Sequence, residues 1–266
     1  MTEVIASLFR HRALVGALVA RDLKARYRGT MLGYLWSLLN PLLLLVVYTV
    51  VFTAVIPARA DAGSPYPLFL LAGLLPWLFL SGALLDAAVV LPDNGPLLKK
   101  VVCPPEVFPA VTVTAHFVHH LLALPVLLVA TGIWSVVGGT PVPWTVVLLP
   151  LALLPLVVTA AGLALVVAAL AAHFRDLKDL LHNLLHLTFF LTPIIYPVTM
   201  VPEGVLRRLV VVNPITPLVT VYRDLVLLGR LPSAATVLGA VTVAVVSAVF
   251  GAAVFGRLRD TLAEAV

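Results

Sequence analysis

The chain has 266 residues, of which 62% are hydrophobic and only 11% are charged, and its formal net charge is +5. So few polar residues cannot cover the surface of a water-soluble globule of this size. The composition therefore excludes a soluble domain and predicts an all-α membrane protein with several transmembrane helices. The single cysteine excludes an intrachain disulfide, and the basic excess lacks the interleaved aromatic residues of a nucleic-acid-binding surface, so we expect no nucleic-acid partner.

The first predicted element is an N-terminal amphipathic helix over residues 2–28 that lies at the membrane interface. Apolar residues recur there near helical spacing, and basic residues occupy positions between them. A cleaved signal peptide and a short re-entrant segment are alternatives, because Arg10 and Arg12 precede a short apolar run, but the basic cluster that follows argues against translocation of this end. We interpret four residues as anchors at an anionic membrane surface: Arg21, Lys24, Arg26 and Arg28.

Six apolar stretches follow, and each is long enough to cross or nearly cross a hydrocarbon core of about 30 Å. They lie at about 33–56, 67–91, 108–134, 142–171, 184–201 and 235–256. An even number of spans puts both termini on the same side of the membrane. Most lysine and arginine residues then fall on that side, so the positive-inside rule predicts that both termini are cytoplasmic.

Titratable residues inside the predicted spans are the first candidates for chemistry. "HFVHH" in the third span and "HNLLH" near the fifth have spacings that metal sites use, but neutral imidazoles in membrane helices often donate interhelical hydrogen bonds. Packing is therefore favoured over a metal site or a proton relay, and we predict no metal ion. Asp86 is either a functional acid or a residue that reaches headgroup water near Pro92. The histidines are His116, His119, His120, His182 and His186.

Aromatic residues cluster in the first two predicted spans. Tyrosine and tryptophan near span ends are typical of the belts that membrane proteins place at the lipid interface. Alternatively, the aromatic planes form a stacking surface for the C–H faces of sugar rings, and the sequence alone does not separate the two interpretations. The candidates for a substrate path are Tyr34, Trp36, Tyr48, Phe52 and Trp77.

Motifs for nucleotide hydrolysis and for hydrolase chemistry are absent from the sequence. It contains no G-x-x-x-x-G-K-[ST] phosphate loop, no G-x-S-x-G nucleophile turn and no H-E-x-x-H zinc motif. We therefore predict a protein that is not an enzyme. If this protein moves a substrate against a gradient, the ATPase that supplies the energy must be a separate chain.

Five ordered segments carry a family resemblance that covers nearly the whole chain. They are "RDLKARYRGTMLGYLWSLLNP" (Arg21–Pro41), "NGPLLKKVVCPPEVFP" (Asn94–Pro109), "FRDLKDLL" (Phe174–Leu181), "LTPIIYP" (Leu191–Pro197) and "NPITPLVTVYRDLVL" (Asn213–Leu227). Together they resemble the membrane subunits of ATP-binding-cassette polysaccharide exporters, which move O-antigen, teichoic acid or capsular chains. One departure is Cys103, which precedes the prolines of the second segment where family members usually have an aromatic residue.

The resemblance implies a single permease domain over residues 1–266 in the cytoplasmic (inner) membrane. It implies a homodimer bound to two copies of a separate ATPase subunit, which bind the ATP and Mg, so that this chain carries no cofactor of its own. The implied substrate is a lipid-linked polysaccharide. Two alternatives remain: an exporter of the same architecture for a small hydrophobic compound, and a membrane-embedded scaffold or enzyme.

The resemblance also implies roles for three segments. The loop after the second span would form a coupling helix that docks into the ATPase, and the segment before the fifth span would make a second cytoplasmic contact. Residues 202–232 would form re-entrant helices that gate the extracytoplasmic exit. The implied coupling residues are Asn94, Leu97, Leu98, Lys99, Lys100, Pro104, Glu106, Arg175 and Asp176.

Overall fold

The structure is a computed structural model that describes residues 2–51, 65–100, 103–139, 141–174 and 176–262. The described ranges contain helices and turns and no β-strand. The helices of the first half are α1 (Thr2–Arg10), α2 (Arg12–Tyr27), α3 (Trp36–Val50), α4 (Tyr66–Asp93), α5 (Gly95–Lys100) and α6 (Val107–Val137). Those of the second half are α7 (Leu149–His173), α8 (Leu177–Leu191), α9 (Val205–Val212), α10 (Ile215–Val226) and α11 (Ala234–Leu258).

Within these ranges, four helices are long and apolar enough to cross a bilayer. They are Tyr66–Asp93, Val107–Val137, Trp144–His173 and Ala234–Thr261, and they correspond to the predicted second, third, fourth and sixth spans. A fifth crossing is counted if α9 and α10, which meet at 76°, form one broken span. The all-helical, multi-span class is therefore confirmed, whereas the number six is not reached in the described part of the chain.

The predicted first and fifth spans differ from the helices observed. Helix α3 ends at Val50, and residues 52–64, which include the rest of the predicted span 33–56, lie outside the described residues. Helix α8 begins and ends earlier than the predicted span 184–201. It stops because Thr192 adopts an extended conformation (φ −91°, ψ 135°) in front of Pro193, and a proline disfavours helical geometry in the residue before it.

The N-terminal region forms two helices, α1 and α2, where one continuous helix over residues 2–28 was predicted. Helix α1 ends at Arg10 and α2 begins at Arg12. Leu18 and Val19 of α2 are buried and pack with Val107 and Val111 at the beginning of α6. Part of α2 therefore contacts the helix bundle directly.

Helix α4 is central to the bundle and is buried on most of its surface, with α3, α6, α7, α8 and α10 packed around it. The backbones of α7 and α11 approach each other very closely. A Cβ atom added to Gly162 would lie 2.3 Å from the backbone of Ser247, and one added to Gly251 would lie 2.1 Å from the Gly162 carbonyl oxygen. Small residues allow membrane helices to approach this closely. Lipid tails are as apolar as the helix surfaces, so the association of α7 and α11 depends on van der Waals packing and not on the hydrophobic effect.

The two ends of the bundle differ in the segments that they bring together. One end holds α2, α5, the beginning of α6 and the end of α11, joined by the pairs Arg21–Asn94 and Arg259–Glu106. The opposite end holds the beginning of α4, the turn after α8 and helix α10, where the Tyr66 hydroxyl donates to the Ile195 carbonyl at 2.9 Å. Helix α2 and the end of α11 thus lie at the same end of the bundle.

Candidate functional site

Helices α3, α4 and α8 enclose an open groove of about 350 Å³. Its walls combine aliphatic side chains with aromatic and imidazole rings. The lining residues are Leu44, Tyr48, Leu74, Trp77, Leu78, Ser81, Leu85, His182, Leu185, His186, Phe189 and Phe190. Two of the five aromatic residues predicted for a substrate path, Tyr48 and Trp77, are therefore brought to one surface.

Phe189 of α8 connects these two aromatic residues. Its ring centroid lies 6.4 Å from that of Tyr48 and 5.6 Å from that of Trp77, and it packs edge-on against Phe190 at 5.3 Å. These are the tilted and edge-to-face arrangements that aromatic quadrupoles favour. The result is a contiguous aromatic wall contributed by three helices.

The other predicted aromatic residues do not add to this wall in the described structure. Trp36 is 37% exposed at the beginning of α3 and does not line the groove. Phe52 and the side chain of Tyr34 lie outside the described residues. Sequence analysis did not single out Phe189 and Phe190, although "TFF" at their position and the neighbouring "HNLLH" indicate a helix face rich in rings.

A charged cluster joins α2, α4 and α6 beside the end of the bundle where α2 packs. Arg26 donates to Asp86 and, at 2.9 Å, to Asp22, while the Asp86 carboxylate also contacts His116 Nε2 at 2.8 Å. Burial alone would lower the pKa of Arg26, but the neighbouring carboxylates outweigh it and raise that pKa, so the guanidinium stays charged. Asp86 therefore has both a cationic and an imidazole partner, and it ties the N-terminal helix to two spans.

Close packing places His116 in this cluster. A Cβ atom on Gly82 would lie 2.7 Å from the His116 ring, so only glycine leaves space for the imidazole. His120, one turn further along α6, is buried and contacts the Tyr222 hydroxyl of α10 at 2.8 Å. These two histidines make interhelical polar contacts, which agrees with the packing interpretation of "HFVHH".

Arg223 is a buried cation at the opposite end of the bundle, with 7% of its surface exposed. Its guanidinium donates to the carbonyl oxygens of Phe69, Pro193 and Ile194, and it lies 3.7 Å above the Phe69 ring. Gly73 provides the space, since a Cβ atom there would lie 2.6 Å from Arg223 Nη2. Arg223 thereby fastens α10 to α4 and to the broken end of α8.

The segment between α4 and α6 holds most of the predicted coupling residues. Residues Gly95–Lys100 form the short helix α5, and the side chains of Leu97, Lys99 and Lys100 lie outside the described residues. Asn94 is held by α2, because it accepts a hydrogen bond from Arg21 at 3.4 Å. Pro104 and Leu98 are half-buried, and Leu98 packs against buried residues of the bundle.

Glu106, one of the predicted coupling residues, is not exposed as a residue of a docking surface would be. It is fully buried and pairs with Arg259 at 3.1 Å, so its carboxylate faces the interior of the chain and not a partner. Asp176 is exposed directly before α8, and Arg175 lies outside the described residues. The four basic residues predicted to anchor the N-terminal helix are all exposed, and two of them, Arg21 and Arg26, also donate hydrogen bonds to residues of α4 and its C-terminal end.

Comparison with known proteins shows the family. The sequence pattern of the ABC-2 type transporter family matches residues 13–227. The chain belongs to this family. ABC-2 permeases are transport subunits and not enzymes, so the predicted class is confirmed.

Relatives of this ABC-2 permease align over most or all of its length. An O-antigen export system permease protein, RfbA, from Myxococcus xanthus is 35% identical over 270 residues, and the match covers 100% of both chains. RfbA from Klebsiella pneumoniae is 29% identical over 251 residues, with 94% of each chain covered. The polysialic acid transport protein KpsM from Escherichia coli is 23% identical over 222 residues, covering 82% of this chain and 83% of that protein.

The single thiol of the ABC-2 permease provides a test of the environment after α5. Burial raises the pKa of Cys103, and the nearby Glu106 carboxylate raises it further. A raised pKa lowers the fraction of reactive thiolate at neutral pH. We expect maleimide to label Cys103 at pH 7 severalfold more slowly than it labels a cysteine introduced at exposed position Asp93 in a Cys103→Ser background. Equal rates at pH 7 would contradict the buried, anionic environment described for the thiol.

Proposed function

We propose that this chain is the transmembrane subunit of an ABC transporter that exports a lipid-linked polysaccharide, such as O-antigen, across the inner membrane. Family membership supports the transport role, and the names of the relatives RfbA and KpsM, an O-antigen export permease and a polysialic acid transport protein, support a glycan substrate. The observation that carries the proposal is the aromatic wall of Tyr48, Trp77 and Phe189 along an open groove. Aromatic planes can stack on the C–H faces of sugar rings, and the hydroxyl groups at the edge of each sugar stay free to form hydrogen bonds.

The proposed topology has six spans and cytoplasmic termini. In it, α1 and α2 lie along the cytoplasmic face, α3 and α8 belong to the first and fifth crossings, and α9 with α10 forms the extracytoplasmic gate. The common position of α2, α5 and the end of α11 supports it, because these segments with the adjoining Arg28 and Arg259 carry nine of the 17 lysine and arginine residues.

The proposed assembly is a homodimer bound to two copies of an ABC ATPase. In this arrangement α5, with Leu97, Lys99 and Lys100, docks on the ATPase, and Arg175 and Asp176 make a second contact. ATP-driven closure of the ATPases would move the α5 segment and open a path for the glycan. The contact of Asn94 with Arg21 supports this role, since it connects the α5 segment to α2.

Reconstitution with a cognate ATPase tests the function. Vesicles containing both subunits should hydrolyse ATP faster when lipid-linked glycan is added and should move the glycan across the membrane. The permease alone should hydrolyse no ATP, because its sequence has no phosphate loop. Stimulation by a small hydrophobic compound but not by any glycan would overturn the assignment.

Removal of aromatic rings from the groove should weaken the response to glycan. Aromatic contacts are worth about 0.5 to 1.5 kcal/mol each, so Tyr48→Ala or Phe189→Ala should raise the glycan concentration for half-maximal ATPase stimulation by roughly two- to tenfold. Both side chains are only half-buried, which limits the damage to folding. Trp144→Ala is the matched control, because Trp144 is 65% exposed and lies outside this groove. A loss of export only in proportion to protein level would leave packing as the role of these rings.

A further inference from the structure

His182 and His186 of α8 are the two histidines that line the aromatic groove. Both are exposed, and they are one helical turn apart, so their side chains share a helix face. Their ring centroids lie 4.6 Å apart in an edge-to-face arrangement. The same helix presents Phe189 to the groove, which places two polar rings directly beside the aromatic wall.

The hydrogen bond of His186 defines which of its ring nitrogens carries the proton. His186 Nδ1 lies 3.2 Å from the His182 carbonyl oxygen. Because a carbonyl only accepts, Nδ1 is the protonated nitrogen, and in a neutral ring Nε2 is then an acceptor. The imidazole is therefore oriented by the helix backbone before any ligand binds.

The remaining polar groups of the groove are few. Ser81 already donates its hydroxyl proton to the Trp77 carbonyl oxygen at 2.8 Å. Apart from Ser81, Tyr48 and the histidine pair, the lining residues are leucines, two phenylalanines and Trp77, whose indole N–H is its one polar group. Imidazole nitrogens thus supply much of the hydrogen-bonding capacity of this surface.

We propose that His182 and His186 bind the hydroxyl groups of a glycan chain whose rings stack on Phe189 and Trp77. The inference deepens the proposed function and rests on it. A sugar ring is apolar on its C–H face and carries hydrogen-bond donors and acceptors around its edge. The groove places aromatic rings, which fit the C–H face, beside imidazoles, which can bind the hydroxyl groups at the edge. A purely hydrophobic substrate would leave the imidazoles without partners and would bear the cost of their desolvation.

The test compares substitutions that remove or keep hydrogen bonding, measured as glycan-stimulated ATPase activity of the reconstituted complex. His182→Leu and His186→Leu should each raise the half-maximal glycan concentration by roughly three- to tenfold, in line with the loss of one or more hydrogen bonds. The maximal stimulated rate should not change. His186→Gln, which keeps an acceptor and a donor, should stay within about twofold of the wild type.

Asn183→Leu is the matched control, because Asn183 is an exposed polar residue of the same helix that does not line the groove. Normal responses by both leucine variants, with weakened responses by Tyr48→Ala and Phe189→Ala, would overturn the histidine proposal alone. Normal responses by all four variants would overturn the groove as the glycan path. If pretreatment of the wild-type permease with a chelator, which is removed before the ATPase, Mg and ATP are added, abolishes the glycan response, the pair binds a metal ion, and the hydrogen-bonding proposal fails.

Discussion

Arg223→Met should prevent most of the permease from accumulating in a folded form. The substitution removes the donors that pair with the carbonyl oxygens of Phe69, Pro193 and Ile194. The Phe69 oxygen lies inside α4 and keeps its helix hydrogen bond, whereas the Pro193 and Ile194 oxygens lie in the turn after α8. Each buried acceptor left without a partner costs about 1 to 3 kcal/mol, so the loss of two is a large fraction of the roughly 5 to 15 kcal/mol that stabilises a typical domain. Membrane-inserted protein should therefore be reduced severalfold, and the remainder should unfold at a clearly lower temperature in detergent.

Arg208→Met is the matched control, because Arg208 is an exposed arginine of α9. It should insert and unfold like the wild type. Gly73→Ala provides an independent measurement, since the added methyl group would lie 2.6 Å from Arg223 Nη2. Its cost should shrink in an Arg223→Met background, because the clashing atom is then missing. Equal costs in both backgrounds, or wild-type behaviour of Arg223→Met, would show that the guanidinium does not hold α10 in place.

Hydropathy predicted the long spans well because those helices are apolar throughout. The observed α4 (Tyr66–Asp93) and α11 (Ala234–Leu258) agree closely with the predicted 67–91 and 235–256. The same reasoning failed at the fifth span. Apolar residues continue past Leu191, so hydropathy does not change there, whereas the backbone leaves the helix at Thr192 before Pro193.

The groove was only half predictable from the sequence. Aromatic content identified Tyr48 and Trp77, because these residues are unusual within apolar spans. That both meet Phe189 depends on how α8 packs against α3 and α4, and helical spacing within one segment does not contain this information. For the same reason "HNLLH" predicted a shared face for two histidines but not the surface that this face lines.

Arg223 and Glu106 show a second limit of sequence analysis. The family resemblance implied that Arg223 lies in the extracytoplasmic re-entrant helices of residues 202–232 and that Glu106 belongs to the coupling segment, and neither implication includes a buried partner. Their partners lie far away in the sequence: Phe69 is 154 residues from Arg223, and Arg259 is 153 residues from Glu106. Burial with a distant partner follows from tertiary packing alone.

Arg259→Met should destabilise the permease strongly. Glu106 is fully buried, and Arg259 is the cation that pairs with it. Removing one member of a buried ion pair costs about 3 to 5 kcal/mol, and the cost here should be at the lower end because 39% of the Arg259 side chain is exposed. The variant should show a marked decrease in unfolding temperature in detergent.

The double variant Glu106→Gln, Arg259→Met separates an ion pair from simple packing. Glutamine carries no charge, so the double variant should recover most of the stability that Arg259→Met loses. Arg257→Met is the control, since Arg257 is an exposed arginine near the end of the same helix. No recovery in the double variant would mean that Arg259 acts through its aliphatic stem. Recovery would mean that Arg259→Met loses stability because the buried Glu106 carboxylate is left unpaired, and that the ion pair joins the beginning of α6 to the end of α11.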